Sequence, residues 1–177
     1  MKILKSLNQK QHGFTAIELV VGIIIIGLIA TAVATGIAQA FNGTISSNDR
    51  MSATNNVRVA GDWISDDVKM VEGSVQLNVS GVLIRVEWSD YPPPNGDPPH
   101  RYLVDYTLSN GKLYRLYQEF TGNPPVLAGQ QTVLIAQNIT VGTCTFSNNT
   151  LTLTLTSTFG SVSETRTFVI AVRNLPW

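Results

Sequence analysis

The sequence predicts an α+β protein: one long N-terminal helix, half transmembrane and half amphipathic, packed on a C-terminal antiparallel β-sheet. Three observations predict it. Residues Leu19 to Asn48 contain no charged side chain. Apolar residues then recur at intervals of three and four as far as Val71. Beyond Gly73 the period changes to two, and the alternating runs are separated by Ser-Gly, Asn-Gly and Asn-Asn pairs.

The apolar segment Phe14–Phe41 is 28 residues long, and a bilayer-spanning helix needs about 20. A secretory signal has an apolar region of only about 7–15 residues before its cleavage site. Ala30, Ala32 and Ala34 are therefore read as part of a span rather than as a cleavage signal. The leader Met1–Gly13 carries Lys2, Lys5 and Lys10 and no acid, and only Arg50 follows the span closely. The positive-inside rule then leaves the N-terminus in the cytoplasm and carries the C-terminal domain across the membrane. No proline precedes Pro92, so no sharp kink is expected, although Gly22, Gly27 and Gly36 leave the helix soft.

The helix is expected to continue past the membrane. Ala53, Val57, Ala60, Ile64, Val68 and Val71 share one face, and Arg58, Asp62, Asp66 and Lys69 lie opposite. Arg58 and Asp62 form an i,i+4 pair of opposite charge. Trp63 and Met70 flank the stripe and are read as core. Asp62, Asp66 and Asp67 are read as a solvated face, not a metal site. Gly73 is the expected stop.

Strands are expected at Val75–Val79, Val82–Trp88, Tyr102–Leu108, Leu113–Phe120, Thr132–Thr140, Gly142–Ser147, Thr150–Thr156 and Val162–Val172. Asn110–Gly111 is a two-residue hairpin signal, which sets Leu108 opposite Leu113 and Tyr106 opposite Arg115. Leu151, Leu153 and Leu155 alternate with threonines, as in a half-buried strand. The segment Tyr91–His100, YPPPNGDPPH, holds five prolines in ten positions and reads as a stiff exposed connection. Asp90, Asn95 and Asp97 supply oxygen ligands of the kind calcium takes, but no calcium-loop spacing is present, so no metal is assigned. Gly122–Gly129, with Pro124 and Pro125, reads as a second loop.

Catalytic groups are sparse. The histidines are His12, in the leader, and His100, and Cys144 is the single cysteine. Cys144 shares a strand with Phe146 and reads as a buried apolar residue. No phosphate loop, nucleophile elbow or metal-ligand cluster appears, so neither an enzyme nor a cofactor is predicted. The chain has zero formal net charge, and removal of the leader leaves nine basic against twelve acidic side chains. No basic stripe points to direct nucleic-acid binding. Charged residues are 14% of the chain, and Thr, Ser and Asn fill its second half, as suits an extracytoplasmic β-rich domain.

Glu18 is the anomaly. A carboxylate in a membrane span costs a few kcal/mol and marks a functional position. A simple anchor gives no reason for an acid four residues after Phe14. A chain cut after Gly13 would expose an ammonium at Phe14. That ammonium and Glu18 lie about one helical turn apart along one chain, so a neighbour shifted along the axis is the expected partner.

These residues resemble the class III leader of type IV pilins and type II secretion pseudopilins: a basic leader, Gly13–Phe14, Glu18 at a fixed offset, and an uninterrupted apolar run. Thr15, Ile17 and Leu19 suit the same pattern. The resemblance covers residues 1 to about 40. It implies that a prepilin peptidase cuts between Gly13 and Phe14 and methylates Phe14, and that Glu18 is the carboxylate of subunit assembly. It implies as partners other pilin or pseudopilin subunits, an assembly platform protein and an ATPase. It also implies insertion in the inner membrane, then passage into a pilus or pseudopilus. The domains expected on this basis are a leader at 1–13, the transmembrane and assembly half of the helix at 14–41, its amphipathic half at 42–73, and an extracytoplasmic β domain at 74–177.

Two departures from the pattern of major pilins bear on the type of subunit. The proline that many carry near the middle of the span is absent; Thr35 stands near its place. Cys144 is alone, so the intrachain disulfide of many major pilins cannot form. With the pattern Val172–Asn174, these features resemble a minor pseudopilin of the J kind, which primes assembly or sits at the tip. The alternative is a membrane-anchored extracytoplasmic binding domain that does not polymerise. An anchored enzyme would need catalytic groups that the sequence lacks.

Overall fold

The computed structural model describes residues 15–71, 75–90 and 100–172. The chain divides into two units, with the boundary between Thr44 and Ile45. Helix α1, Ala16–Met70, contributes to both. It carries the long helix, and the strands follow it, so the α+β layout read from the sequence is the observed one.

In the first unit the apolar side chains from Ile17 to Phe41 all lie exposed. Nothing within this unit covers them, which is the condition of a helix whose solvent is lipid or neighbouring helices. Among the described residues this is the one helix long and apolar enough to cross a membrane. Its hydroxyls do not break it. Thr31 Oγ1 donates to the Gly27 carbonyl at 2.8 Å, and Thr35 Oγ1 to the Thr31 carbonyl at 2.8 Å. This back-bonding to the preceding turn satisfies polar groups that lipid cannot.

In the second unit eight strands follow: β1 (Gln76–Val79), β2 (Val82–Asp90), β3 (His100–Ser109), β4 (Lys112–Thr121), β5 (Val126–Ala136), β6 (Ile139–Ser147), β7 (Thr150–Phe159) and β8 (Val162–Ala171). All observed pairings are antiparallel. The hairpin register is the predicted one: Leu108 pairs with Leu113 and Tyr106 with Arg115. Asn110 and Gly111 both take positive φ, 50° and 71°, as a primed two-residue turn requires.

The strands form two sheets, not one: a five-stranded sheet in the order β1-β2-β3-β4-β5 and a three-stranded sheet β6-β7-β8. The division falls inside Thr132–Thr140, which was expected to be a single strand. Asn138 turns the chain with φ of 53°, a conformation asparagine tolerates better than most residues. Three hydrogen bonds hold that turn. The Gln137 amide donates to Asn56 Oδ1 on α1 at 3.0 Å. The Ile139 amide donates to the Gly111 carbonyl at 2.8 Å, and the Thr158 amide to the Asn138 carbonyl at 3.1 Å. At the other end, Val126–Gly129 is strand, and the expected loop shortens to residues 122–125. Of the Pro-rich connection only His100 lies among the described residues, as the first residue of β3. Gly73, the expected helix stop, lies outside them, and α1 ends at Met70.

One core joins the helix and both sheets. Val57, Ala60, Ile64 and Val68 of α1 meet Ile84, Val86, Val104 and Leu113 of the larger sheet and Leu151, Leu153, Leu155 and Ile170 of the smaller. Each fully buried aliphatic side chain of this kind contributes about 1.5–3 kcal/mol relative to exposure. Gly61 lies in the same stripe, and the Phe168 ring of β8 occupies the space a Cβ there would need. Two flanking residues fall outside the core: Trp63 is 42% exposed and Met70 62%. The far face of the smaller sheet is polar but ordered. Thr154 of β7 bonds to Thr143 of β6 at 3.0 Å and to Thr167 of β8 at 2.9 Å, cross-strand pairs worth roughly 0.2–1 kcal/mol each.

Candidate functional site

The expected site begins at the head of α1. Gly13 and Phe14 lie outside the described residues. Thr15 is the residue before the helix, and Glu18 is the acid of its first turn. The two bond reciprocally. Glu18 Oε2 accepts from the Thr15 amide at 3.3 Å and from Thr15 Oγ1 at 3.2 Å, while the Glu18 amide donates to Thr15 Oγ1 at 3.3 Å. This is a capping box, in which a Thr and a Glu three residues later satisfy each other's orphan amides. The helix dipole adds to it, since its N-terminus favours a negative charge.

The capping box changes the expected geometry. Glu18 does not stand free at the head of the helix: its side chain folds back onto Thr15. The Thr15 amide belongs to the peptide bond joining Thr15 to Phe14, so the carboxylate reaches to within one residue of Phe14. The signal was legible, because Thr15-Ala16-Ile17-Glu18 has the spacing of a capping box immediately before an apolar run.

Beyond Glu18 the helix offers about eight turns without charge, from Leu19 to Asn48. An unpaired carboxylate at the head of such a surface is costly in lipid and satisfiable by one ammonium. That is the chemistry the arrangement can perform: selective pairing rather than bond making.

The second unit presents its charges mostly as matched pairs. Arg85 meets Asp105 at 2.6 Å, Arg115 meets Asp67 at 2.7 Å, and Glu87 accepts from Arg101. His100 Nδ1 lies 2.8 Å from Glu119 Oε1. Asp62 and Asp66 are exposed and pair with Arg58 and Lys69, as a solvated face should, whereas Asp67 is buried and belongs to the core side. Among the described residues no group of three or more His, Cys, Asp or Glu side chains is placed to hold a metal. The side chains of Asp90, Asn95 and Asp97 lie outside the described residues. Cys144 faces the core, half-buried, and burial pushes its thiol above the ordinary range, the opposite of what a nucleophilic cysteine needs.

Comparison with known proteins bears on the first unit. No curated protein and no solved structure matches the chain significantly. A family model does: that of the prokaryotic N-terminal methylation motif, over residues 8–34. The matched stretch contains Gly13, Phe14, Thr15 and Glu18 and most of the apolar run. The motif implies processing by prepilin peptidase and assembly with other pilins, and points to a structural protein. With the long apolar helix, it is consistent with single-pass anchoring in the inner membrane. Residues 8–34 thus carry the prokaryotic N-terminal methylation motif, and in this they are similar to the class III leader of the type IV pilins and pseudopilins.

Proposed function

We propose that the chain is a structural, minor subunit of a type IV pilus or type II secretion pseudopilus, incorporated into or at the tip of a helical filament. The observation that carries this is the methylation motif set on an exposed helix segment that has no charge from Leu19 to Asn48 and a single carboxylate, Glu18, at its head. In this reading residues 1–13 are the leader, 14–41 the transmembrane and assembly half of the helix, 42–73 its amphipathic half, and 74–177 the extracytoplasmic β domain. Prepilin peptidase cuts between Gly13 and Phe14 and methylates Phe14. A platform protein and an ATPase then draw the subunit from the inner membrane into the filament.

The physical logic is an exchange of solvents. In the bilayer the apolar side chains from Ile17 to Phe41 contact lipid. In a filament they contact the same helix of other subunits, at little net cost. Glu18 supplies selectivity. The capping box holds its carboxylate in the free subunit, and the new Phe14 ammonium of a neighbour replaces two weak hydrogen bonds with a charge pair. An unpaired buried charge costs several kcal/mol, so only the axial offset that pairs the two is retained.

Intact-mass measurement tests this directly. The protein from cells with active peptidase should have lost Met1–Gly13, gained one methyl group, and appear in the sheared filament fraction. An unprocessed Met1 form confined to the membrane would support the anchored binding domain instead.

A further inference from the structure

Each sheet ends in edge strands, and they are not protected alike. β1 is four residues long, and β6 passes beside it. β8 carries Glu164 and Arg166, a pair 3.7 Å apart on the side that bears Phe168 and Ile170. Shortness and inward charges are two ways in which natural sheets blunt an edge. β5 has neither. It is 11 residues long, VLAGQQTVLIA, with no acidic, basic or proline residue. Among the described residues it pairs only with β4, and Gly129 to Leu134 run in unbroken register between two irregularities. Gln130, Gln131 and Thr132 are all exposed, so both faces of the strand are open at its middle. Val126, Leu127 and Leu134 are 64%, 47% and 41% exposed.

We infer that β5 is a strand-pairing edge between subunits, and that its occupant is an uncharged, extended edge strand of a neighbouring pilin-class subunit of different sequence. This rests on the filament-subunit reading above. The free ladder groups of β5 call for an extended partner, because main-chain hydrogen bonds supply the affinity in strand addition. The partner is uncharged because β5 offers no counter-charge, and a desolvated lone charge is costly.

The chain's own edges do not serve. β1 is too short, β8 brings Glu164 and Arg166, and β6 lies beside β1 with its register broken between Val141 and Cys144. Two copies of β5 could pair antiparallel about Gln131, with Val126 over Ala136 and Leu127 over Ile135. That contact is two-fold and isologous. Its axis stands perpendicular to the sheet and reverses the helix segment packed on the sheet face, whereas subunits anchored in one membrane point the same way. A non-identical subunit remains.

The test places a photoreactive residue at Gln131 in the full chain, in cells that assemble the filament. The expected result is an adduct with a different protein that mass spectrometry shows to carry the same class of leader. The same residue at Thr165 on β8 should give no such adduct. In parallel, Gln130→Lys with Thr132→Lys should reduce incorporation about tenfold, equivalent to about 1.4 kcal/mol, while the thermal melt of the detergent-solubilised chain stays unchanged. Wild-type incorporation of that variant, no adduct from an incorporated chain, or an adduct joining two β5 strands of the same protein would each overturn the inference and leave the filament reading standing. Failure of the unmodified chain to enter filaments would overturn both.

Discussion

Asp67 on α1 and Arg115 on β4 close on each other through two parallel hydrogen bonds, Nε to Oδ2 at 2.7 Å and Nη2 to Oδ1 at 2.8 Å. They are 48 residues apart in sequence, and their side chains are only 11% and 12% exposed. The Tyr106 hydroxyl of β3 donates to the same Oδ2. The guanidinium lies 5.1 Å from the Trp63 ring and 5.3 Å from the Tyr117 ring. One carboxylate thus joins the helix to two strands. Arginine suits the position because its planar fork meets both carboxylate oxygens and stacks on aromatic faces at once. The bond to Asp67 holds the guanidinium even further above neutrality than usual.

Removing one partner of this pair should be costly. Asp67→Ala or Arg115→Ala leaves an uncompensated charge in the core and is expected to destabilise the domain by about 3–5 kcal/mol. Denaturant unfolding of the full chain in mild detergent, followed by tryptophan fluorescence, measures it. Replacing both, as Asp67→Leu with Arg115→Met, should cost less than either single change, because no charge is stranded. A double variant as unstable as the sum of the singles would mean that the pair contributes by geometry rather than by mutual neutralisation.

The same cluster predicts a pH dependence at the alkaline end. Burial, then the Asp67 charge, pushes the Tyr106 hydroxyl far above its ordinary range near 10. The folded state therefore holds this proton where the unfolded state releases it. Stability from this group is complete below about pH 10 and declines as pH rises above it. Tyr106→Phe should be less stable than wild type at neutral pH, because Asp67 loses a donor, and the gap should narrow above about pH 10. Stability curves from pH 7 to 11 check this; an unchanging gap would place the ionising group elsewhere.

Gly61 reverses an ordinary rule. In an exposed helix interior Gly→Ala stabilises by roughly 0.5–1 kcal/mol. Here the added methyl meets the Phe168 ring, and overpacking of this kind costs about 1–3 kcal/mol. Gly61→Ala should therefore destabilise the domain. Gly61→Ala with Phe168→Leu should recover part of the loss relative to Phe168→Leu alone, since the two changes share one space.

Much of this architecture was legible in the chain because local rules and tertiary packing agree. Asn110–Gly111 dictates its turn and hence the Tyr106–Arg115 register. The stripe Ala53 to Val71 is the buried stripe. The misreadings have local causes. Asp67 looks like a member of the acidic face with Asp62 and Asp66, yet it lies three residues after Ile64 and seven after Ala60, on the buried side; its charge hid its phase. Thr132–Thr140 is apolar from Val133 to Ala136 and again at Ile139, so it reads as one strand, and the step between sheets is marked only by one left-handed asparagine. Val126–Gly129 follows two prolines and looks like loop, because β5 is an exposed edge with little to bury. The rest of the split is tertiary: it falls where Asn56 Oδ1 of α1 accepts from the Gln137 amide. At the head of α1 the apolar run, the acid and the Thr15–Glu18 spacing are plain in the sequence, and the capping box sets the Thr15 amide and hydroxyl in competition with a partner in another chain for the Glu18 carboxylate.

That competition makes Glu18→Gln the most informative change. Glutamine serves in a capping box as glutamate does, so the bonds to the Thr15 amide and hydroxyl survive and the helix begins where it did. What is lost is the negative charge. If assembly depends on pairing with an ammonium, Glu18→Gln should be cut and methylated normally, reach the membrane at wild-type levels, and yet enter filaments at least about tenfold less well, since a charge-assisted bond is worth roughly twice a neutral one. Glu18→Ala removes cap and charge together. Thr15→Ala removes the hydroxyl and should cost about 1 kcal/mol of helix start while leaving the charge in place. Quantifying the three variants in membrane and filament fractions separates the contributions. Loss of assembly in Thr15→Ala and Glu18→Ala with normal assembly of Glu18→Gln would assign the carboxylate to the cap, and the neighbour's ammonium would have no part in register.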